Sequence, residues 1–209
     1  MMNLRLGDMM VTGDTLPPVK LIKALAVVSD RLHRSFARNP SLIPNISLRS
    51  CVLCSLTVKE FLTSIGFEAV VRPVSFLIFA TEGEKELYSL GMGPPFDERK
   101  NLPKSWIGHM VVAVEGWIID TTLYPAIDRP AWRGLLPPMM AVKTKPQTFG
   151  TGELTSLASL LYNDKDYYLS MAWFDTPENT SWVKGGDALN KDRRIKVVKR
   201  LIHQFGPFK

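Results

Sequence analysis

Three residues in this chain combine the types and the order that nucleophilic acyl chemistry needs: Cys51, His109 and Asp120. A cysteine supplies the nucleophile. A histidine within reach accepts and returns its proton, and a carboxylate fixes the histidine's tautomer and stabilises its charged form. Cys51 follows Ser50, a good N-cap residue, and opens a run in which Cys54, Val58, Phe61, Leu62 and Ile65 make one apolar helical face. It should therefore stand in the first turn of a helix, where unpaired backbone amides carry partial positive charge and stabilise a thiolate. Cys54 lies one turn deeper, in line with Val58 and Phe61, and is expected to face the core as an inert thiol.

His109 opens the run His-Met-Val-Val-Ala-Val, which has the character of a strand. His33 and His203 fall in charge-rich helical stretches and are expected to be solvated. A second short strand, Trp117 to Asp120, follows a tight turn at Glu115-Gly116. In such a hairpin His109 and Asp120 meet at the open end, about one residue away from direct opposition. An oxyanion hole also needs donors. The Cys51 amide is one, and Asn45 and the Trp106 indole are the candidates for a second.

The segment CVLCSLTVKEFLTSIGFEAVV resembles the catalytic helix of transglutaminase-like enzymes, with an "IG" exit fifteen residues after Cys51. The block GHMVVAVEGWIIDTT is similar to that family's histidine and aspartate strands, with His109, Val114, Trp117 and Asp120-Thr121-Thr122 at the matching places. Met110 stands where alanine is usual, as it does in arylamine N-acetyltransferases, and the leader peptidases that mature lasso peptides share the layout. The likeness spans about Ser50 to Thr122. It implies an α+β, papain-like fold with the catalytic helix packed on an antiparallel sheet. It also implies a Cys-His-Asp triad acting on a peptide or protein amide through a thioester, as a peptidase, amidase, deamidase or transglutaminase. Neither cofactor nor metal is implied.

Other readings stand beside this one. Degenerate members of such folds serve as non-catalytic scaffolds. Cys51-Val52-Leu53-Cys54 is also a C-x-x-C at a helix start, the pattern of thiol–disulfide redox proteins, though the approach through Pro44 to Arg49 is short and polar where a buried strand is expected. One such pair and one distant histidine leave a zinc site incomplete.

The elements that must position these residues follow from periodicity. Leu21, Leu25, Val28, Leu32 and Phe36 predict a helix ended by Asn39-Pro40. Strands are expected from Phe67 to about Val74 or Phe79, from Met140 to Lys143 and from Tyr167 to Phe174, with a helix from Leu154 to Tyr162. Residues 81–105 and 121–138 are expected to be long loops flanking the cleft, with Trp106, Tyr124 and Trp132 along it. A last helix from about Asn190 to Phe205 should present Ile195, Val198, Ile202 and Phe205. The expected organisation is a loose arm at 1–17, a core at 18–175 and a basic helical extension at 176–209.

The net charge is +6. From Lys184 to Lys209 lie eight Lys or Arg and two Asp, so the excess belongs to that one segment. Its helix, 191–200, is the one hint of a nucleic-acid partner, and no aromatic residue interleaves its charges. No stretch is long and apolar enough to cross a membrane. The opening MMNLRLGDMM puts no apolar run behind its charge, so a cytoplasmic protein of bacterial or phage type is expected.

Overall fold

The computed structural model describes residues 2–38, 50–93, 108–123, 137–149, 154–164, 167–184 and 191–207. Its class is α+β: the described residues form three helices and a large, curled, mixed sheet. The helices are α1 (Val19–Ala37), α2 (Cys51–Ser64) and α3 (Lys191–Phe205). The strands are β1 (Met2–Leu6), β2 (Met9–Gly13), β3 (Ala69–Glu82), β4 (Lys85–Met92), β5 (His109–Val114), β6 (Trp117–Asp120), β7 (Met139–Lys143), β8 (Gln147–Phe149), β9 (Leu154–Ser156), β10 (Ala158–Asp164) and β11 (Tyr167–Asp175).

The main sheet runs β1-β2-β7-β6-β5-β3-β11-β10, with β4 also paired to β3, while β8 and β9 form a separate ribbon. All its pairs are antiparallel except β2 with β7, which is parallel, so the wholly antiparallel sheet expected from the sequence is corrected at that seam.

One face of the sheet carries the helices. Leu21, Leu25, Leu32 and Phe36 of α1, Val58 and Phe61 of α2, and Val197, Leu201 and Phe205 of α3 share a core with Val112, Val114, Trp117 and Ile119. The opposite face gathers Val74, Phe76, Ile78, Val111, Ile118, Met140 and Trp173. Alternation of side chains along β5 and β6 sends successive residues to these two faces in turn.

Several expectations are overturned. Residues 1–17 are no loose arm, because β1 and β2 pair as a hairpin and Met9 and Val11 are buried in the helix-side core. Residues 154–162 form β9 and β10 rather than a helix. Strand pairing, of β9 with β8 and of β10 with β11, decided a short apolar run whose periodicity fits either element. The start of the expected 81–105 loop is a hairpin, with β3 running on to Glu82 and returning as β4.

The basic C-terminal helix is built into the core rather than appended to it. Its buried stripe is Arg194, Val197, Val198, Leu201 and Phe205, while Ile195 and Ile202 are exposed. Some of its charge has internal partners: Arg194 pairs with Glu60 at 2.9 Å, and Arg200 donates to the Ser35 carbonyl at 2.7 Å. Among the described residues no helix is long and apolar enough to cross a membrane.

Candidate active site

The start of α2 forms as its sequence demands. The Ser50 hydroxyl accepts from the Leu53 amide at 3.2 Å, satisfying one of the first-turn donors, and Cys51 is the first helical residue. At the other end Gly66, at φ 92°, lets the Phe67 amide reach back to the Leu62 carbonyl at 3.0 Å, and the chain leaves for β3. The helix start is fastened to the sheet beside the histidine. Ser55 donates to the Met110 carbonyl at 2.8 Å, and Val52 packs on Met110.

β5 and β6 meet through a two-residue turn in which Glu115 and Gly116 both have positive φ, 51° and 72°. Val112 lies opposite Ile119 and Val114 opposite Trp117. Continued at that register, Asp120 stands across from Val111, two residues along the strand from His109. His109 and Asp120 are therefore diagonal neighbours on the same face, within side-chain reach.

His109 Nε2 and Asp120 Oδ2 are 2.7 Å apart, with both residues almost wholly buried. Two further groups donate to the carboxylate: Trp173 Nε1 to Oδ2 at 2.9 Å and the Thr122 amide to Oδ1 at 3.1 Å. A buried charge with three partners is tolerable where a bare one is not. Phe76 covers the ensemble, its ring 5.6 Å from that of His109 and 5.3 Å from that of Trp173. The Cys51 side chain is close enough to act on the ring, and its influence favours the protonated imidazole.

These contacts determine the charge on the ring. Burial alone would drive His109 below its ordinary value. The attraction of Asp120 and its hydrogen bond, followed by the hydrogen bond and charge of Cys51, overcome burial and push the imidazole up to about 10. His109 thus holds its proton at neutral pH.

Cys54, one turn from Cys51, is wholly buried, and burial followed by the neighbouring Cys51 charge pushes its thiol well above the ordinary value. The two cysteines form no disulfide.

The structure sets His109 against Asp120 and places Cys51 at the start of α2, close enough to act on the His109 ring. The two candidate donors Asn45 and Trp106 lie outside the described residues, as do Tyr124 and Trp132. His33 corrects the expectation of a solvated side chain. It is half-buried, and its Nε2 lies 3.0 Å from the Thr121 carbonyl. Burial takes its ring down to about 4 despite that hydrogen bond and the charge of Asp8.

Two tryptophans were missed. Trp173 reaches Asp120 across two intervening strands, β3 and β5, which no local pattern reveals. Trp182, in a short 3-10 turn at Ser181–Lys184, packs with Cys51 against Val52 and Met110, and among the described residues its buried Nε1–H meets no acceptor. The available signal was general: a buried tryptophan needs a partner for its N–H. Among the described residues no group of three or more His, Cys, Asp or Glu is placed to hold a metal ion.

Comparison of the chain with protein-family models, with curated proteins and with solved structures finds no match.

Proposed function

We propose that this chain is a cysteine-dependent hydrolase or acyltransferase of transglutaminase-like, papain-like type, acting on an amide or peptide bond. The observation that carries the proposal is a buried imidazole hydrogen-bonded to a fully buried carboxylate and lying within the influence of a cysteine at a helix start. Cys51 Sγ attacks the carbonyl carbon, forming the C–S bond. His109 delivers a proton from its imidazolium to the departing amine as the C–N bond breaks. Water or an acceptor amine then attacks the thioester, gives its proton to His109, and releases Cys51. Asp120 keeps the ring oriented throughout and stabilises its charged form before the proton is delivered and after it is regained. The Cys51 amide, at the open end of α2, is a donor for the oxyanion. The substrate is a peptide or protein amide.

Labelling with a limiting thiol alkylator near neutral pH tests this reading. Cys51 should react faster than a free thiol, and Cys54 should stay unlabelled in the folded protein. A labelled Cys54 beside an intact Cys51 overturns the assignment. Loss of both thiols on mild oxidation, restored by a dithiol, would support disulfide redox chemistry instead. Cys51→Ala should abolish amide turnover, and survival of function in that variant would point to a scaffold.

A further inference from the structure

We propose that His33, on α1, is a positioning residue for the triad: it fixes the Thr121–Thr122 peptide group that holds the Asp120 carboxylate. The proposal rests on the reading of Cys51, His109 and Asp120 as one catalytic set.

Two hydrogen bonds converge on one planar unit. His33 Nε2 lies 3.0 Å from the Thr121 carbonyl oxygen, and the Thr122 amide donates to Asp120 Oδ1 at 3.1 Å. The Thr121 carbonyl and the Thr122 amide belong to the same peptide bond, so their directions are locked together by its planarity. A donor that fixes the carbonyl therefore fixes where the amide points. It also polarises the peptide, which strengthens the amide as a donor in a buried setting. The chain of contacts runs from α1 through one peptide group to Asp120, and from Asp120 Oδ2 to His109 Nε2.

The segment needs such a support. β6 ends at Asp120, so Thr121 and Thr122 lie beyond the strand ladder although both are buried. The tie that resumes at Leu123 is its amide to the Pro138 carbonyl at 3.1 Å. Between these points His33 supplies the contact to the Thr121 carbonyl.

The helix presents the ring from a fixed face. Ser29, one turn before His33, donates to the Leu6 carbonyl, and Leu32 and Phe36 on either side are buried in the core. For the ring to donate to a carbonyl, Nε2 must carry hydrogen. The lowered basicity of His33 fits a neutral ring in that tautomer.

The test needs no substrate. The chain has three histidines, so nuclear magnetic resonance of histidine-labelled full-length protein can follow each ring. In the unmodified protein His33 should be neutral at pH 7 with its hydrogen on Nε2. Hydrogen on Nδ1 alone overturns the proposal without any variant. In His33→Leu the His109 midpoint should fall by about one pH unit or more, and Cys51 alkylation at neutral pH should slow. His33→Gln, whose side-chain amide can donate at a similar reach, should restore both. An unchanged His109 midpoint in His33→Leu overturns the relay. So does an equal loss in the Leu and Gln variants, which would mean that the ring only fills space. If unmodified Cys51 reacts no faster than a free thiol, the catalytic reading fails separately, and the His109 midpoints still decide whether His33 acts on Asp120.

Discussion

Two histidines flank the three residues Asp120, Thr121 and Thr122, and the fold drives them in opposite directions. His109 approaches from β5 and meets a carboxylate, and its ring is pushed up to about 10. His33 approaches from α1 and meets a carbonyl, and its ring is taken down to about 4. Burial opposes the charged form in both. The difference is the partner: a full negative charge at 2.7 Å outweighs desolvation, whereas the dipole of a peptide carbonyl and the smaller pull of Asp8 do not. One short strand end thus holds a proton-carrying imidazole on one side and a neutral hydrogen-bonding imidazole on the other.

The strongest way to break this contrast is to remove the charge. In Asp120→Asn burial acts on His109 opposed only by Cys51, so its midpoint should fall steeply from about 10, and Cys51 alkylation at neutral pH should slow. Resonance titration and alkylation rates measure both effects. His33 should keep its low midpoint in that variant, since its partner is the peptide.

The two rings also predict opposite limbs of a stability profile. Unfolded His33 takes up its proton near 6.5, whereas the folded state resists until about 4. Its contribution is therefore complete above 6.5 and is lost as the pH falls from 6.5 through 4, on the order of 3 kcal/mol. His109 has the reverse sign: its contribution is complete below 6.5 and is lost as the pH rises through about 10. Urea denaturation at pH 7 and pH 4 should show the acid loss, and His33→Gln should shrink it. An acid loss of equal size in that variant would assign it to other groups.

A smaller effect sharpens the role of Asp120's other donor. Trp173→Phe leaves the carboxylate with one fewer partner in a dry site and should cost about 1–3 kcal/mol in denaturant stability. The His109 midpoint should move less than it does in Asp120→Asn. Smallest of all, Cys54→Ala removes a buried thiol from the helix-side core, at about 1–2 kcal/mol, with the Cys51 alkylation rate unchanged. A drop in that rate would show that Cys54 takes part in the chemistry.

The difference between the two cysteines was legible in the sequence because it depends on a local rule. Ser50 marks the N-cap, so Cys51 falls in the first turn, and Cys54 falls on the apolar face with Val58 and Phe61. The β5–β6 hairpin was legible for the same reason, since Glu115-Gly116 requires two positive φ values that a tight turn uses. Non-local pairing was hidden. The strand identity of 158–164 depends on β11, and the buried stripe of α3 depends on where α1 and α2 lie. The real stripe includes Val197 and Leu201, whereas the predicted Ile195 and Ile202 face outward.

By itself, then, the sequence determined the order Cys51, His109, Asp120 and the helix start and hairpin that carry them, because capping, periodicity and turn chemistry act over a few residues. Tertiary structure alone decided what surrounds them. The curl of the sheet carries the Trp173 indole to Asp120 across two strands, and the packing of α1 brings His33 to the Thr121 carbonyl from 88 residues away. Such contacts depend on how whole elements stack, and no spacing along the chain encodes them.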